Sequence, residues 1–159
     1  MNIRYAKRSE DTEQILVIQW AQAMTGKHPE FKWLFHVPNG GSRNKAEAVK
    51  MKQMGTKSGI SDLVLPCPKG KYHGLFLEMK HDRGTIEKSQ REFIVDMAAA
   101  GYYACICYEA EEAIAVLNKY VGLKEGESID NGNAVILKEG KIRCIGEKEQ
   151  RKKESIVPY

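Results

Sequence analysis

The feature that most constrains this fold is a pair of short apolar runs flanked by carboxylates. Both runs lie in the segment Gly59–Lys80, GISDLVLPCPKGKYHGLFLEMK, where a connection containing Pro and Gly separates them. The pattern predicts two strands, Leu63–Leu65 and Leu75–Leu77, joined by a turn. If these strands pair antiparallel about the KGK turn, the register places Asp62 opposite Glu78.

Two carboxylates in such a position need a positive partner. Directly opposed side chains have Cβ atoms about 5 Å apart, and like charges at that distance are destabilising, so a cation is expected between Asp62 and Glu78. Side chains alternate along a strand, so Glu78 and Lys80 share one face while Met79 points to the other. The spacing D-x15-E-x-K therefore gathers Asp62, Glu78 and Lys80 on one side of the predicted sheet.

This acidic pair with its adjacent lysine resembles the active-site signature of the PD-(D/E)XK nuclease superfamily. Within that superfamily the chain resembles the VRR-NUC family, through GxxxGxxD at Gly55–Asp62, the strand LFLEMK, the downstream Gln90 and the segment AAGYYACICY. The resemblance extends over roughly Glu13–Tyr120. One position departs from the family pattern, because Ser61 stands where the family usually has proline.

The resemblance implies a restriction-endonuclease-like α/β fold, with an αβββαβ core whose mixed central sheet is flanked by helices. It also implies a divalent-metal-dependent, structure-specific endonuclease that hydrolyses phosphodiester bonds in branched DNA, such as Holliday junctions or flaps. The similar proteins are stand-alone nucleases of phage or bacterial type. Symmetric cutting of a junction would suit a homodimer.

The ligand chemistry of the acidic pair agrees with this interpretation. Asp62, Glu78 and the backbone carbonyl of Met79 offer hard oxygen ligands, which suit Mg²⁺ or Mn²⁺ rather than zinc. A bound ion would lower the pKa of a water that attacks the phosphodiester. Lys80, beside the cation, would hold that water or stabilise charge in the transition state. The sequence leaves open whether one ion or two would act.

Two further polar residues lie at the edges of apolar helical stripes. Glu13 lies on the stripe of a helix predicted from Ser9 to Met24, and it is either a solvated first-turn acid or an acid that points into the site. Gln90 begins the helix after the E-x-K strand, and it is either a surface glutamine or a residue that reaches back over the strand of Lys80. The resemblance favours a catalytic role for both, with Glu13 able to contribute to metal binding.

The other segments alternate between strand and helix patterns, which predicts helices packed on a mixed sheet. Residues 1–121 are predicted to form the nuclease domain, and residues 122–159 a C-terminal extension with a hairpin at NAVILKEGKIRCIG and a charged tail. The remaining predicted elements are a strand at Lys32–Val37, a helix at Lys45–Met54, a helix from Gln90 to Gly101, a strand at Tyr102–Tyr108 and a helix at Ala110–Val121.

Positive charge is concentrated just before Asp62. The formal net charge is +4, and residues 42–59 alone carry five cations against the single acid Glu47, which is also +4. A lysine run by itself is typical of a solvated helix face. Beside a carboxylate cluster, however, it is what an enzyme of the phosphate backbone needs. The predicted DNA-binding residues are Asn39, Arg43, Lys45, Lys50, Lys52 and Lys57.

Composition limits the remaining possibilities. The 159 residues suit one domain with one core. No apolar run approaches the roughly 20 residues that span a bilayer, and the first residues lack the apolar centre of a signal peptide, so we expect a cytoplasmic protein, in the host if phage-encoded. The four cysteines include no C-x-x-C and are expected to be reduced. His36, at a predicted strand end, is either structural or close to the cleft.

A second class of function remains open from the sequence. The same fold and basic helix could serve a non-catalytic nucleic-acid-binding subunit of a repair or replication assembly. The presence of Asp62, Glu78, Lys80 and Gln90 together favours the enzyme, because each has a role in one reaction.

Overall fold

The computed structural model describes residues 7–38 and 44–129, together with the backbone of residues 135–138, 141–144 and 157–158. Four α-helices and seven strands make up this part of the chain. Among its helices, none is long and apolar enough to cross a membrane. In chain order the elements are α1 (Glu10–Met24), a 3-10 helix (Pro29–Trp33), β1 (Phe35–His36), α2 (Lys45–Gln53), β2 (Leu63–Leu65), β3 (Leu75–Lys80), α3 (Lys88–Ala99), β4 (Tyr103–Tyr108), α4 (Glu109–Val121), β5 (Val135–Lys138), β6 (Lys141–Cys144) and β7 (Val157–Pro158).

The strands form a single mixed sheet whose spatial order, β1 to β7, is also their order along the chain. Strands β3 and β4 are parallel, and every other neighbouring pair is antiparallel. Helix α3 provides the crossover that a parallel pair needs. The register pairs Leu63 with Leu77 and Leu77 with Cys105. The predicted mixed sheet with flanking helices is confirmed.

Helices α1 and α4 cover one face of the sheet. Leu77 and Met79 of β3 lie in this core with Val17 of α1 and Leu117 of α4, and all four are almost completely buried. Burying a side chain of this size stabilises the fold by about 1.5–3 kcal/mol. The odd-numbered residues of β3 therefore serve the main hydrophobic core.

Helix α3 covers the other face, mainly over β4, and it also contacts β3. Here Phe76 and Ile106 pack with Ile94 of α3. Side chains two apart along a strand share a face, so Glu78 and Lys80 lie on the same face as Phe76. Strand β3 therefore contributes its odd-numbered residues to the core and its even-numbered residues Glu78 and Lys80 to the candidate site.

Local hydrogen bonds fix the start of α1 at the predicted cap. The Ser9 hydroxyl accepts a hydrogen bond from the Thr12 N–H at 3.3 Å, and the Ser9 N–H donates to the Thr12 hydroxyl at 2.8 Å. This reciprocal pair satisfies two backbone donors that would otherwise lack partners at the helix start. Helix α1 therefore begins at Glu10, at the beginning of the predicted range.

The first strand is shorter than the predicted Lys32–Val37, and that prediction was wrong at its start. Pro29–Trp33 form a 3-10 helix, in which Pro29 occupies the first turn, where its missing N–H costs no hydrogen bond. This turn buries Phe31 against the core that α1 covers. Packing of one aromatic side chain thus overrides the strand propensity of the segment, and only Phe35–His36 pair with β2.

The C-terminal hairpin is present and extends the sheet. Strand β5 pairs with β4, and β6 pairs with β5 through the register Leu137 to Ile142. The tip of the predicted hairpin and most of the charged tail, residues 145–156, lie outside the described residues. The domain boundary between residues 121 and 122 stays a prediction.

Candidate active site

The pairing of β2 with β3 brings the two predicted carboxylates together. Leu63 pairs with Leu77, so Asp62, one residue before, lies across from Glu78, one residue after. An Asp62 carboxylate oxygen, Oδ2, accepts a hydrogen bond from the N–H of Met79 at 2.8 Å. The Asp62 side chain is therefore tied to the backbone of the strand that carries Glu78.

Glu78 is the centre of the site and is only 2% exposed. Its Oε1 lies 3.1 Å from the Lys80 ammonium and accepts a hydrogen bond from the side-chain amide of Gln90. Its other oxygen, Oε2, is buried and has no hydrogen-bond partner among the described residues. A buried carboxylate oxygen without a donor is costly, so it is available to a ligand that replaces the lost water.

Burial raises the pKa of both carboxyl groups. Burial is the main cause of the rise in the pKa of Glu78 to about 7, the charge of Asp62 adds to it, and Lys80 opposes it. Burial also raises the pKa of Asp62, opposed by the Met79 N–H and by Lys80. The site holds negative charge at a free-energy cost, which a divalent cation would offset.

Gln90 and Lys80 are held in place by neighbours outside the strand pair. The Gln90 side-chain carbonyl accepts a hydrogen bond from the Glu87 N–H at 3.0 Å, at the start of α3. That bond leaves the amide NH₂ of Gln90 to donate to Glu78. Lys80, 5% exposed, also lies 3.8 Å from a carboxylate oxygen of Glu10. The amine and the amide thus reach Glu78 from two elements, β3 and α3.

The donor set fits a hard divalent cation. Within the described ranges no group of three or more His, Cys, Asp or Glu side chains is arranged to hold a metal. Mg²⁺, however, is usually bound by one or two carboxylates, with waters completing the shell. In a strand the N–H and C=O of one residue point to the same neighbour. Since the Met79 N–H points at Asp62, its carbonyl points to the same side.

Glu13 is not in contact with this group. It is fully buried, and its Oε2 accepts a hydrogen bond from the Ala110 N–H at the start of α4, at 2.8 Å. Its Oε1 lies 3.1 Å from the Arg8 guanidinium. Helix α1 also packs on the face of the sheet opposite to Glu78. The contacts of Glu13 therefore tie the start of α1 to the start of α4.

Glu10 is the acid of α1 that approaches the site. Its carboxylate lies 3.8 Å from the Lys80 ammonium and is about half exposed. As an acid in the first turn of α1, Glu10 also complements the helix dipole. The available signal was its position at the very start of the helix, from which a side chain can reach past the end of β3.

The basic segment before Asp62 is exposed. Helix α2 has no buried residue, and its three lysines and Lys57 are all exposed. Of the predicted DNA contacts, Asn39 and Arg43 lie outside the described residues. The short cationic helix α2 is thus exposed to solvent. Along the chain it lies between β1 and β2, on the segment that leads into Asp62.

The loop that carries Asp62 is fixed to the helix that carries Gln90. Gly59 has a φ of +80°, and a Cβ at this position would lie 2.5 Å from the backbone carbonyl atoms of Ser89. Only glycine fits both the left-handed backbone and this close approach. Gly59 precedes Asp62 by three residues and Ser89 precedes Gln90 by one, so their contact sets the spacing of the two site residues.

Two neighbours of Asp62 have structural roles. The Nδ1 of His36 lies 2.8 Å from the backbone carbonyl of Asp62, which holds the strand end in place. Ser61 is fully buried, and its hydroxyl has no hydrogen-bond partner among the described residues. An apolar residue would suit that position better, which agrees with the family's usual proline there.

Comparison with known proteins identifies the family and supports the fold. The VRR-NUC domain family matches residues 8–111. The chain belongs to the VRR-NUC family. A solved structure described as a VRR_NUC domain protein is 32% identical, with a TM-score of 0.68, and the match covers 79% of this chain and 99% of the other. Among curated proteins, no match is found. VRR-NUC membership makes this a nuclease-type protein, with DNA as the corresponding partner.

The raised pKa of Glu78 predicts how stability depends on pH without metal. Between pH 4.5, its ordinary pKa, and about 7, the folded protein keeps a proton on Glu78 that the unfolded chain releases. The free energy of unfolding should therefore fall as pH rises through this range, by about 2 kcal/mol from this one group. Urea unfolding in EDTA at pH 5 and pH 8 measures the change.

Glu78→Gln is the control, because an amide does not titrate. This variant should lack the fall in the free energy of unfolding that Glu78 causes between pH 5 and pH 8. In a separate measurement, Mg²⁺ should raise the stability of the wild type more at pH 8 than at pH 5. Equal pH dependence in wild type and Glu78→Gln would contradict the assignment.

Substitution of Gly59 tests the contact with α3. Gly59→Ala should lower the free energy of unfolding by about 2–4 kcal/mol, because both the strained φ and the clash with Ser89 contribute. Gly126 has the same φ of +80° but no atom within 4 Å of a Cβ, so Gly126→Ala should show the strain alone, about 1 kcal/mol. Chemical denaturation of the two variants compares them, and equal losses would exclude the close contact.

Proposed function

We propose that this protein is a divalent-metal-dependent, structure-specific DNA endonuclease that hydrolyses phosphodiester bonds, with branched DNA as its substrate. The observation that carries the proposal is the buried Glu78 carboxylate. It lies opposite Asp62 with the Lys80 amine on one oxygen, while the other oxygen has no hydrogen-bond partner among the described residues.

Three oxygen donors would hold the metal: Asp62, Glu78 and the backbone carbonyl of Met79. A bound Mg²⁺ or Mn²⁺ would supply positive charge at the phosphate and lower the pKa of an attacking water. The chain's own contribution is to hold the two carboxylates adjacent and to offset part of their charge. Lys80 and the Met79 N–H do this by compensating their charge.

Lys80 and Gln90 act on the reacting groups. The Lys80 ammonium, nearly buried beside Glu78, can hold the attacking water or stabilise the charge that develops on the phosphate oxygens. Gln90 donates to the same oxygen of Glu78 and is oriented by the Glu87 N–H. This arrangement leaves the second oxygen of Glu78 free for the metal.

The α1 carboxylate of the site is Glu10 in this proposal. The family resemblance gives Glu13 a part in metal or water binding, but the oxygens of Glu13 contact Arg8 and the Ala110 N–H. Glu10 lies close enough to Lys80 to restrain its ammonium. Glu13 would then act as a positioning residue that holds the beginning of α1 in place.

The exposed cations of α2 and Lys57 would bind the DNA backbone next to the metal. Lysine contacts to phosphate carry affinity without sequence preference, which suits an enzyme that recognises DNA shape. Arg43 and Asn39 are proposed to add to this surface. The protein would be a stand-alone nuclease of phage or bacterial type. As a homodimer, it would place one site on each of two strands of a junction.

The cleavage assay that tests this function compares four-way junction, flap and linear duplex DNA, each with Mg²⁺, Mn²⁺ or EDTA. We expect metal-dependent cleavage of branched DNA, and a loss of about 10²- to 10³-fold in rate for Lys80→Ala, because the variant lacks the charge at the reacting phosphate. Lys71→Ala is the matched control, since Lys71 is an exposed lysine beyond the opposite end of β3. Binding of DNA without cleavage in any metal would instead identify a binding subunit.

A pair of isosteric variants tests which α1 acid serves the site. Glu10→Gln should lower the cleavage rate about tenfold without loss of stability, because it removes a charge beside Lys80. Glu13→Gln should lower the free energy of unfolding by about 1 kcal/mol and leave the rate of the folded enzyme unchanged, since it weakens the contact with Arg8. Single-turnover rates and thermal unfolding measure the two effects. The reverse result would return Glu13 to the site.

A further inference from the structure

An exposed aromatic ring lies on the same face of the sheet as the carboxylates. Phe35 of β1 is 49% exposed. It pairs with Val64 of β2, and Val64 pairs with Phe76 of β3. Val64 follows Asp62 by two residues and Phe76 precedes Glu78 by two. Because alternate side chains share a face, Phe35 points to the side of the sheet that holds the site.

The neighbouring aromatic ring in this row is covered, and Phe35 is not. Phe76 packs edge-on against Phe93 of α3, with centroids 5.0 Å apart, and lies 5.1 Å from the Tyr102 ring. Helix α3 contacts β3, β4, β5 and β6. Phe35, by contrast, lies two strands away from β3 and is half exposed.

The chain segment that leads into β1 carries a second exposed aromatic ring beside a cation. Single exposed hydrophobic residues are ordinary on protein surfaces. Here, however, a second aromatic residue two positions earlier, Trp33, is 57% exposed, and the Lys32 ammonium lies 5.1 Å from its ring centroid. Exposed aromatic rings interleaved with cations are typical of surfaces that bind single-stranded nucleic acid.

The distance from Phe35 to the site matches a nucleotide spacing. Strands lie about 4.8 Å apart, so β1 is about 10 Å from β3. Along the strand direction, Phe35 is level with Phe76, which precedes Glu78 by two residues, or about 7 Å. The separation is thus about 12 Å, or about four stacked nucleotides of 3.4 Å each. A strand held at the carboxylates can therefore place a nearby base over Phe35.

We propose that Phe35 is a stacking platform for an unpaired nucleobase of the DNA strand that is held at the carboxylates. This inference rests on the proposed nuclease function and deepens it, because it names the feature of the substrate that is recognised. In a fully paired duplex each base is stacked on both sides and offers no free face. A branch point or flap supplies a free base, so stacking on Phe35 favours these structures over duplex DNA.

Fluorescence of 2-aminopurine tests the stacking directly. The probe is placed at successive unpaired positions next to the branch of a flap, and the complex is formed in EDTA so that no cleavage occurs. We expect quenching at one or two positions with wild type and none with Phe35→Ala. Affinity for the flap should fall about 5- to 150-fold in this variant, as for loss of one stacked base. Affinity for paired duplex should not change.

Three variants separate stacking from simple apolar contact and from folding. Phe35→Trp should keep the quenching, while Phe35→Leu, which keeps an apolar side chain but has no ring, should lose it. Ile15→Ala is the matched control, because Ile15 is an exposed hydrophobic residue on α1, across the sheet from the site. Thermal unfolding establishes that each variant is folded.

Several results would overturn the inference. Equal quenching by wild type and Phe35→Leu would show that no ring is needed. A change of mass in light scattering for Phe35→Ala, with quenching unchanged, would assign Phe35 to contact between two copies of the chain. Cleavage with quenching independent of Phe35 would remove this inference alone. Quenching that depends on Phe35 without cleavage in any metal would remove the proposed nuclease activity and leave the stacking site.

Discussion

Two carboxylates held face to face in a nearly dry position are the constraint on which the rest of the site depends. Burial raises the pKa of both Asp62 and Glu78, and the charge of Asp62 raises the pKa of Glu78 further. The compensating groups come from β3 and α3: the Lys80 amine, the Met79 N–H and the Gln90 amide. The arrangement can exist only where the strand register and the position of α3 are fixed together.

The sheet divides stability and function between its two faces. Core side chains of β3 pack against α1 and α4, where burial is complete. The opposite face is covered by α3 over its central strands, so polar residues at the strand ends and the ring of Phe35 at the edge remain accessible to a ligand. A single strand, β3, therefore serves both purposes through simple alternation of its side chains.

The sequence predicts which site residues strand pairing and side-chain alternation bring together. It does not predict the contacts that depend on how the helices pack on the sheet. Turn symmetry about KGK predicted the opposition of Asp62 and Glu78, and alternation predicted the face of Lys80; the structure contains both relations. Helical periodicity identified the stripe of α1 but could not tell which face of the sheet α1 would cover. Spacing left the position of Glu13 open and the family resemblance placed it at the site, while its contacts lie with Arg8 and at the start of α4. The approach of Gly59 to Ser89 likewise depends on tertiary packing.

The agreement of spatial strand order with chain order bears on how the polypeptide assembles during synthesis. Each strand needs only the one made before it, which keeps pairing local and favours rapid folding. The exception is the free edge of β3, whose parallel neighbour is not complete until residue 108 has been made. At 5–20 residues per second, those 28 residues take roughly 1–6 seconds. During that interval an apolar strand edge on the nascent chain is open to wrong pairing.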